Sequence, residues 1–95
     1  MTVYAIAQGT ITDREAFNRY LEKSGPTLQA HGVRLLSIDE QPVVVEGELD
    51  HPRTVILACD SEEQFYRWYD SPEYRAARRE RATASVGRFI LVKGL

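Results

Sequence analysis

The chain opens with a loosely alternating, β-branched stretch, Val3 to Ile11, that reads as a strand. Thr12-Asp13-Arg14-Glu15 follows as a capping box, with Thr12 accepting from the backbone of Glu15. The spacing of Phe17, Tyr20, Leu21 and Leu28 then predicts a helix with one apolar face. Pro26 lacks an N–H and crowds the carbonyl four residues earlier, which predicts a break near Ser24-Gly25-Pro26. The last helical piece is expected to end at His31-Gly32, with Gly32 as the left-handed cap. Two short strands, about Val33–Ile38 and Val43–Gly47, flank the turn Asp39-Glu40-Gln41-Pro42. After a second turn at Leu49-Asp50-His51-Pro52, Arg53–Cys59 is the strongest strand of the chain. Ser61-Glu62-Glu63-Gln64 is another capping box and starts a helix carrying Phe65, Trp68 and Tyr69. Ser71 is a good N-cap and Pro72 suits the first helical position, so a third helix is expected to about Thr83. A final strand covers Arg88–Lys93.

With the second strand split and the second helix in two pieces, the order β-α-β-β-α-β is the ferredoxin-like split βαβ pattern of the α+β class, an antiparallel sheet with its helices on one face. An antiparallel strand with one wet face alternates apolar and polar residues. Val43-Val44-Val45, Val55-Ile56-Leu57-Ala58 and Phe89-Ile90-Leu91-Val92 do not alternate. The helices cover one face only, and an exposed apolar sheet is more than a monomer tolerates. The simplest cover is a second copy packed sheet to sheet, giving a two-fold homodimer.

Composition narrows the function classes. With 43% apolar and 27% charged residues in 95, the chain reads as one domain, 1–95, with a thin core and no room for a two-domain enzyme. Twelve basic and fourteen acidic residues predict no general affinity for nucleic acid or acidic membranes. A single cysteine, Cys59, excludes an intrachain disulfide, and its place at the end of an apolar strand predicts an inert buried thiol. No apolar run is long enough to span a membrane and no signal peptide is expected, which leaves the cytoplasm as the default compartment. Two histidines without ligand spacing predict no metal site, and no phosphate loop or nucleophile elbow points to a cofactor.

The candidate chemistry centres on Arg81. Tyr74, Ala77 and Arg81 share one helical stripe, so the stripe that buries Tyr74 also carries a guanidinium. A buried charge needs a partner: either Glu46 or an acid of the first helix, or an anionic ligand. Arg75, Arg78 and Arg79 read as a solvated face. His31 either complements the dipole at its helix end or serves as a general base at a pocket mouth. Glu46, in an apolar strand, is either salt-bridged or raised in pKa for acid–base work. Trp68, Tyr69 and Tyr74 suit a core, and their indole and phenol hydrogens would give a pocket a polar rim. His51, beside Pro52 in a turn, reads as surface.

These residues resemble the domain of unknown function 1330 family, within the dimeric α/β-barrel superfamily. Trp68-Tyr69-Asp70-Ser71-Pro72-Glu73-Tyr74 resembles that family's signature, and His31-Gly32, Glu46-Gly47 and Arg81 fall where its pattern puts them. The resemblance covers nearly the whole chain. It implies a ferredoxin-like protomer, a homodimer with facing sheets and a pocket between sheet and helices, and it implies no reaction. The chain departs from the pattern at Ala58-Cys59-Asp60-Ser61, where the family carries an acid and an aromatic before Pro-Ser. It departs again at Asp39-Glu40-Gln41, where the family has glycines. The first departure removes a carboxylate, and with it any acid–base role at that position.

Two functions follow as expectations. One is a dimeric protein that binds a small, partly apolar anion, or a cofactor-free enzyme, in which Arg81, Trp68, Tyr69 and Tyr74 hold the ligand and His31 or Glu46 moves a proton. The other is a non-catalytic stress-related or regulatory dimer whose interior is filled by its own side chains. A cavity of several hundred cubic ångströms with converging polar groups favours the first.

Overall fold

A computed structural model describes residues 1–95. Four strands, β1 (Val3–Ile11), β2 (Arg34–Asp39), β3 (Arg53–Cys59) and β4 (Ser85–Lys93), form an antiparallel sheet in the order β2-β3-β1-β4. Helix α1 (Arg14–Ala30) lies between β1 and β2, and helices α2 (Glu62–Tyr69) and α3 (Pro72–Ala82) between β3 and β4. This is the ferredoxin-like α+β arrangement, with the second helical layer in two pieces.

Local chemistry sets most of these boundaries. Ser61 and Ser71 cap α2 and α3, their side chains accepting from the backbone N–H groups of Gln64 and Tyr74. Gly32 ends α1 at φ +70°, the left-handed region that glycine enters without steric cost. Gly87 is required by contact: a Cβ there would lie 2.1 Å from the Gln8 carbonyl oxygen, where β4 crosses β1.

The structure differs from the sequence reading in four places. Helix α1 runs unbroken through Pro26. The carbonyl that Pro26 leaves unbonded belongs to Glu22, and both residues lie on the exposed side, so the missing hydrogen bond is not lost inside the core. Asp13 rather than Thr12 caps α1, accepting from Ala16 N at 3.1 Å, because Thr12 and Asp13 both donate their backbone N–H groups to the Ala84 carbonyl. Strand β4 starts at Ser85, three residues early, since Ile11, Thr10 and Gly9 extend the ladder to Ser85, Val86 and Gly87. Val43–Gly47 is no strand. The segment pairs neither with β3, whose two edges are taken by β1 and β2, nor with the free outer edges of β2 and β4; strand preference rests on packing across a half-buried surface, and Val43 and Val45, 87% and 89% exposed, have no such surface.

Strand parity then divides the side chains. Ala5, Leu57 and Cys59 face the helices and form the core with Val33, Phe65, Trp68, Tyr74 and Ala77. Cys59 is wholly buried, and burial pushes its thiol above the usual range. On the opposite face Ile6 pairs in register with Ile56 and Ile90, and Tyr4 with Val92. No element covers that face, and Ile90 and Val92 are 47% and 41% exposed.

Candidate functional site

Between Val3 and Ile11 the helix-facing side of β1, next to the middle of the sheet, carries only small residues: Ala5, Ala7 and Gly9. With so little side chain beneath it, α1 roofs a hollow instead of a packed layer. The result is a cleft of about 650 Å³ between α1 and the sheet. Ala7 and Gly9 lie in its floor with Val55, Leu57 and Phe89, and Phe17, Leu21 and Leu28 descend from α1. Trp68 and Tyr69 of α2 close one side.

The polar end is built by α3. Tyr74 is wholly buried, and its hydroxyl lies 2.8 Å from that of Tyr20 and 3.1 Å from Nη1 of Arg81. Burial, reinforced by Tyr20, pushes the Tyr74 phenol far above its usual range, so it stays protonated. The Arg81 guanidinium lines the cleft, 5.7 Å from the ring centroids of both Tyr20 and Phe89. Burial works against its charge, but the oxygens of Tyr74, Tyr20 and Tyr69 outweigh that and hold its pKa above the ordinary value. No carboxylate reaches it.

Two further arginines stand near the cleft, Arg53 on the helix-facing side and Arg88 with its side chain on the opposite face of the sheet, and both are neutralised. Arg53 Nε donates to Glu40 at 3.2 Å and its guanidinium covers the Phe17 ring at 4.8 Å. Arg88 makes a two-pronged pair with Asp50, at 2.9 and 3.1 Å. Arg81 is the cleft's one guanidinium without an acidic partner.

The structure brings together Arg81, Trp68 and Tyr69 in the cleft wall, with Tyr74 reaching them from the core side through its hydroxyl. Trp68 is held in place by its indole N–H, which donates to Thr27 Oγ1 at 2.9 Å, and by Tyr74, 4.1 Å away ring to ring. His31 and Glu46 do not join them. His31 caps α1 on the outside, 3.4 Å from Glu73, and Glu46 is exposed in the connection between β2 and β3 with no ion-pair partner. His51 is half-buried rather than free on the surface, with Nδ1 2.9 Å from Thr10 Oγ1. No three His, Cys, Asp or Glu side chains converge anywhere as a metal set.

Two cleft residues went unremarked in the sequence as functional groups. Tyr20 stood in the apolar face of its helix, and nothing local tied its hydroxyl to Tyr74. Arg53 shares strand parity with Val55 and Leu57, a signal that places it on the helix-facing side.

The fold defines a ferredoxin-like α+β protein with a hollow between sheet and helices. The family model for the domain of unknown function DUF1330 matches residues 2–95, and the chain belongs to that family. A protein of unknown function from Rhodopseudomonas palustris is similar over 99% of this chain and 82% of its own, with a TM-score of 0.84 and 20% identity. SnoaB, a cofactor-independent oxygenase from Streptomyces nogalater, is similar over 99% of this chain and 93% of its own, with a TM-score of 0.68 and 12% identity. A dimeric protein of unknown function from Bacteroides fragilis, described as ferredoxin-like, gives a TM-score of 0.68 at 14% identity, covering 98% and 96% of the two chains. Identities this low show a shared fold. No curated protein matches the chain. No helix is long and apolar enough to cross a membrane.

Proposed function

We propose that this chain binds a small, partly apolar organic anion in the cleft between α1 and the sheet, as a homodimer joined through its open sheet faces. The observation that carries the ligand reading is Arg81. A guanidinium drawn partly out of water is costly without a counter-charge, and the cleft supplies none. An anion from solution supplies it. A hollow of about 650 Å³ with apolar walls and a few polar groups at one end has the size and make-up of a small-molecule site. The same volume counts against a dimer filled by its own side chains.

Binding is better supported than catalysis. The lining holds no carboxylate and no imidazole, and His31 and Glu46 stand outside it. SnoaB's oxygenase activity at 12% identity adds a shared fold and nothing about the reaction. The dimer reading rests on the uncovered face of Tyr4, Ile6, Ile56, Ile90 and Val92, and agrees with the dimeric state of the Bacteroides fragilis protein.

Thermal melts of wild type and Arg81→Met, with a panel of aromatic and aliphatic carboxylates, test the ligand reading. A ligand at a hundred times its Kd adds about 2.7 kcal/mol, several degrees for a domain of this size. The wild type is expected to gain that with at least one carboxylate and Arg81→Met with none. A wild type that no carboxylate stabilises overturns the reading.

A further inference from the structure

We infer that Arg81, Tyr74 and Tyr20 form a one-way chain of hydrogen-bond donors ending in the cleft at the Tyr20 hydroxyl, so that the group taken there is acceptor-only, the ionised carboxylate of an aromatic acid. The inference deepens the ligand reading above and rests on it.

The direction of the chain follows from counting protons. A guanidinium only donates, so at 3.1 Å Arg81 gives a proton to the Tyr74 oxygen and can take none back. Tyr74 is wholly buried, and its hydroxyl has two polar neighbours, Arg81 and Tyr20. Its own proton therefore has one acceptor, the Tyr20 oxygen at 2.8 Å. The proton of Tyr20 is then displaced from the pair. Tyr20 makes no other hydrogen bond within the protein, and it lines the cleft.

Two donors are thus left facing the cleft from different residues: the Tyr20 O–H and the Arg81 N–H groups that Tyr74 and Tyr69 do not use. A carboxylate offers two oxygens to meet them. A primary amide of the same shape brings a donor of its own, which finds donors opposite it and loses its water unreplaced. The flanking walls are aromatic, with Phe17, Trp68, Tyr69 and Phe89 around the hollow, and this suits a ring behind the carboxylate. Tyr20 is on this account a specificity-determining residue. Arg81 attracts any anion, whereas the orientation of Tyr20 rejects groups that donate.

The test uses 2-naphthoate and its amide, 2-naphthamide, titrated calorimetrically into the full-length wild type, Tyr20→Phe and Arg81→Met. Wild type is expected to bind naphthoate at least tenfold more tightly than the amide. Losing one hydrogen bond to a charged group weakens binding roughly tenfold or more, so Tyr20→Phe is expected to weaken naphthoate by about that factor and naphthamide far less. Tyrosine labelled with 13C at Cζ gives a second readout in the wild type, where saturating naphthoate is expected to move the Tyr20 resonance. An unmoved resonance overturns the chain even if Tyr20→Phe fails to fold. A variant that keeps the wild-type ratio of the two affinities overturns it as well. In either case naphthoate binding that Arg81→Met abolishes leaves the ligand reading standing, whereas a wild type that binds neither probe overturns both.

Discussion

Arg81 meets Tyr74, seven residues back along α3, by hydrogen-bonding its hydroxyl at 3.1 Å, at the place in the helix–sheet interior where an ion pair would ordinarily hold a buried guanidinium. The phenol fixes the position of the charge and leaves it uncancelled. A helix stripe that buries Tyr74 and Ala77 thereby carries a cation to the edge of an apolar cleft and keeps it available.

Replacing Arg81 is therefore expected to cost little stability. Breaking a buried ion pair costs roughly 3–5 kcal/mol because a charge is left stranded. Arg81→Met strands none, and the methionine adds apolar surface beside Phe89 and Tyr20. Denaturant melts are expected to place the variant within about 1 kcal/mol of wild type, or above it, on the scale of volume-conserving core changes. A loss of several kcal/mol would show that Arg81 braces the fold.

The stability of the helix layer is expected to depend on pH through Glu80. Its carboxylate accepts from Lys23 at 3.0 Å and Arg19 at 3.3 Å, tying α3 to α1. Those two bonds, Lys23 first, hold its pKa below the ordinary carboxylate value. A depressed folded-state pKa means that the contribution is complete above the unfolded value, about 4.3, and disappears as pH falls through the folded one. Melting temperatures from pH 7 to pH 3 should show wild type above Glu80→Gln at neutral pH and the two converging in acid. The pair is solvent-exposed, so the gap is expected to shrink in high salt as well.

Gly87 tests the register of the sheet. The Cβ of an alanine there would sit 2.1 Å from Gln8 O and 2.6 Å from Gly9 Cα, both backbone atoms that cannot rotate away. Gly87→Ala is expected to lose about 1–3 kcal/mol, the range for forced overpacking, as β4 is pushed off β1. An unchanged denaturation midpoint would mean the two strands are not in this contact.

The proposed homodimer makes a sharp demand on Ile90, which pairs with Ile6 at the centre of the uncovered face. Sedimentation equilibrium at micromolar concentration is expected to give twice the 10.8 kDa chain mass for wild type and the chain mass for Ile90→Lys. A monomeric wild type would contradict the facing-sheet arrangement.

What the sequence made legible was mostly local. The caps at Ser61 and Ser71-Pro72 act over three residues, so their partners are in the same short window, and Gly32 announces its own backbone angle. Arg81 could be placed on the buried stripe by periodicity alone. The misreadings came where a distant element decides. Val43-Val44-Val45 has every local preference of a strand but no neighbouring surface to pack against, and Pro26 breaks nothing because it and Glu22, whose carbonyl it orphans, lie on the exposed side of α1. Glu46 read as a strand carboxylate for that same reason, and the structure puts it in the exposed connection. The Tyr20–Tyr74 contact joins residues 54 apart, and no pattern in a single sequence encodes it.

A crystal structure of the wild-type protein grown with 2-naphthoate bears most directly on the cleft. The expected result is the carboxylate within hydrogen-bond distance of Arg81, with the ring lying among Trp68, Tyr69 and Phe89. Naphthoate bound elsewhere, or an Arg81 turned to one of the protein's own carboxylates with the cleft collapsed, would contradict the assignment of this cleft as an anion site.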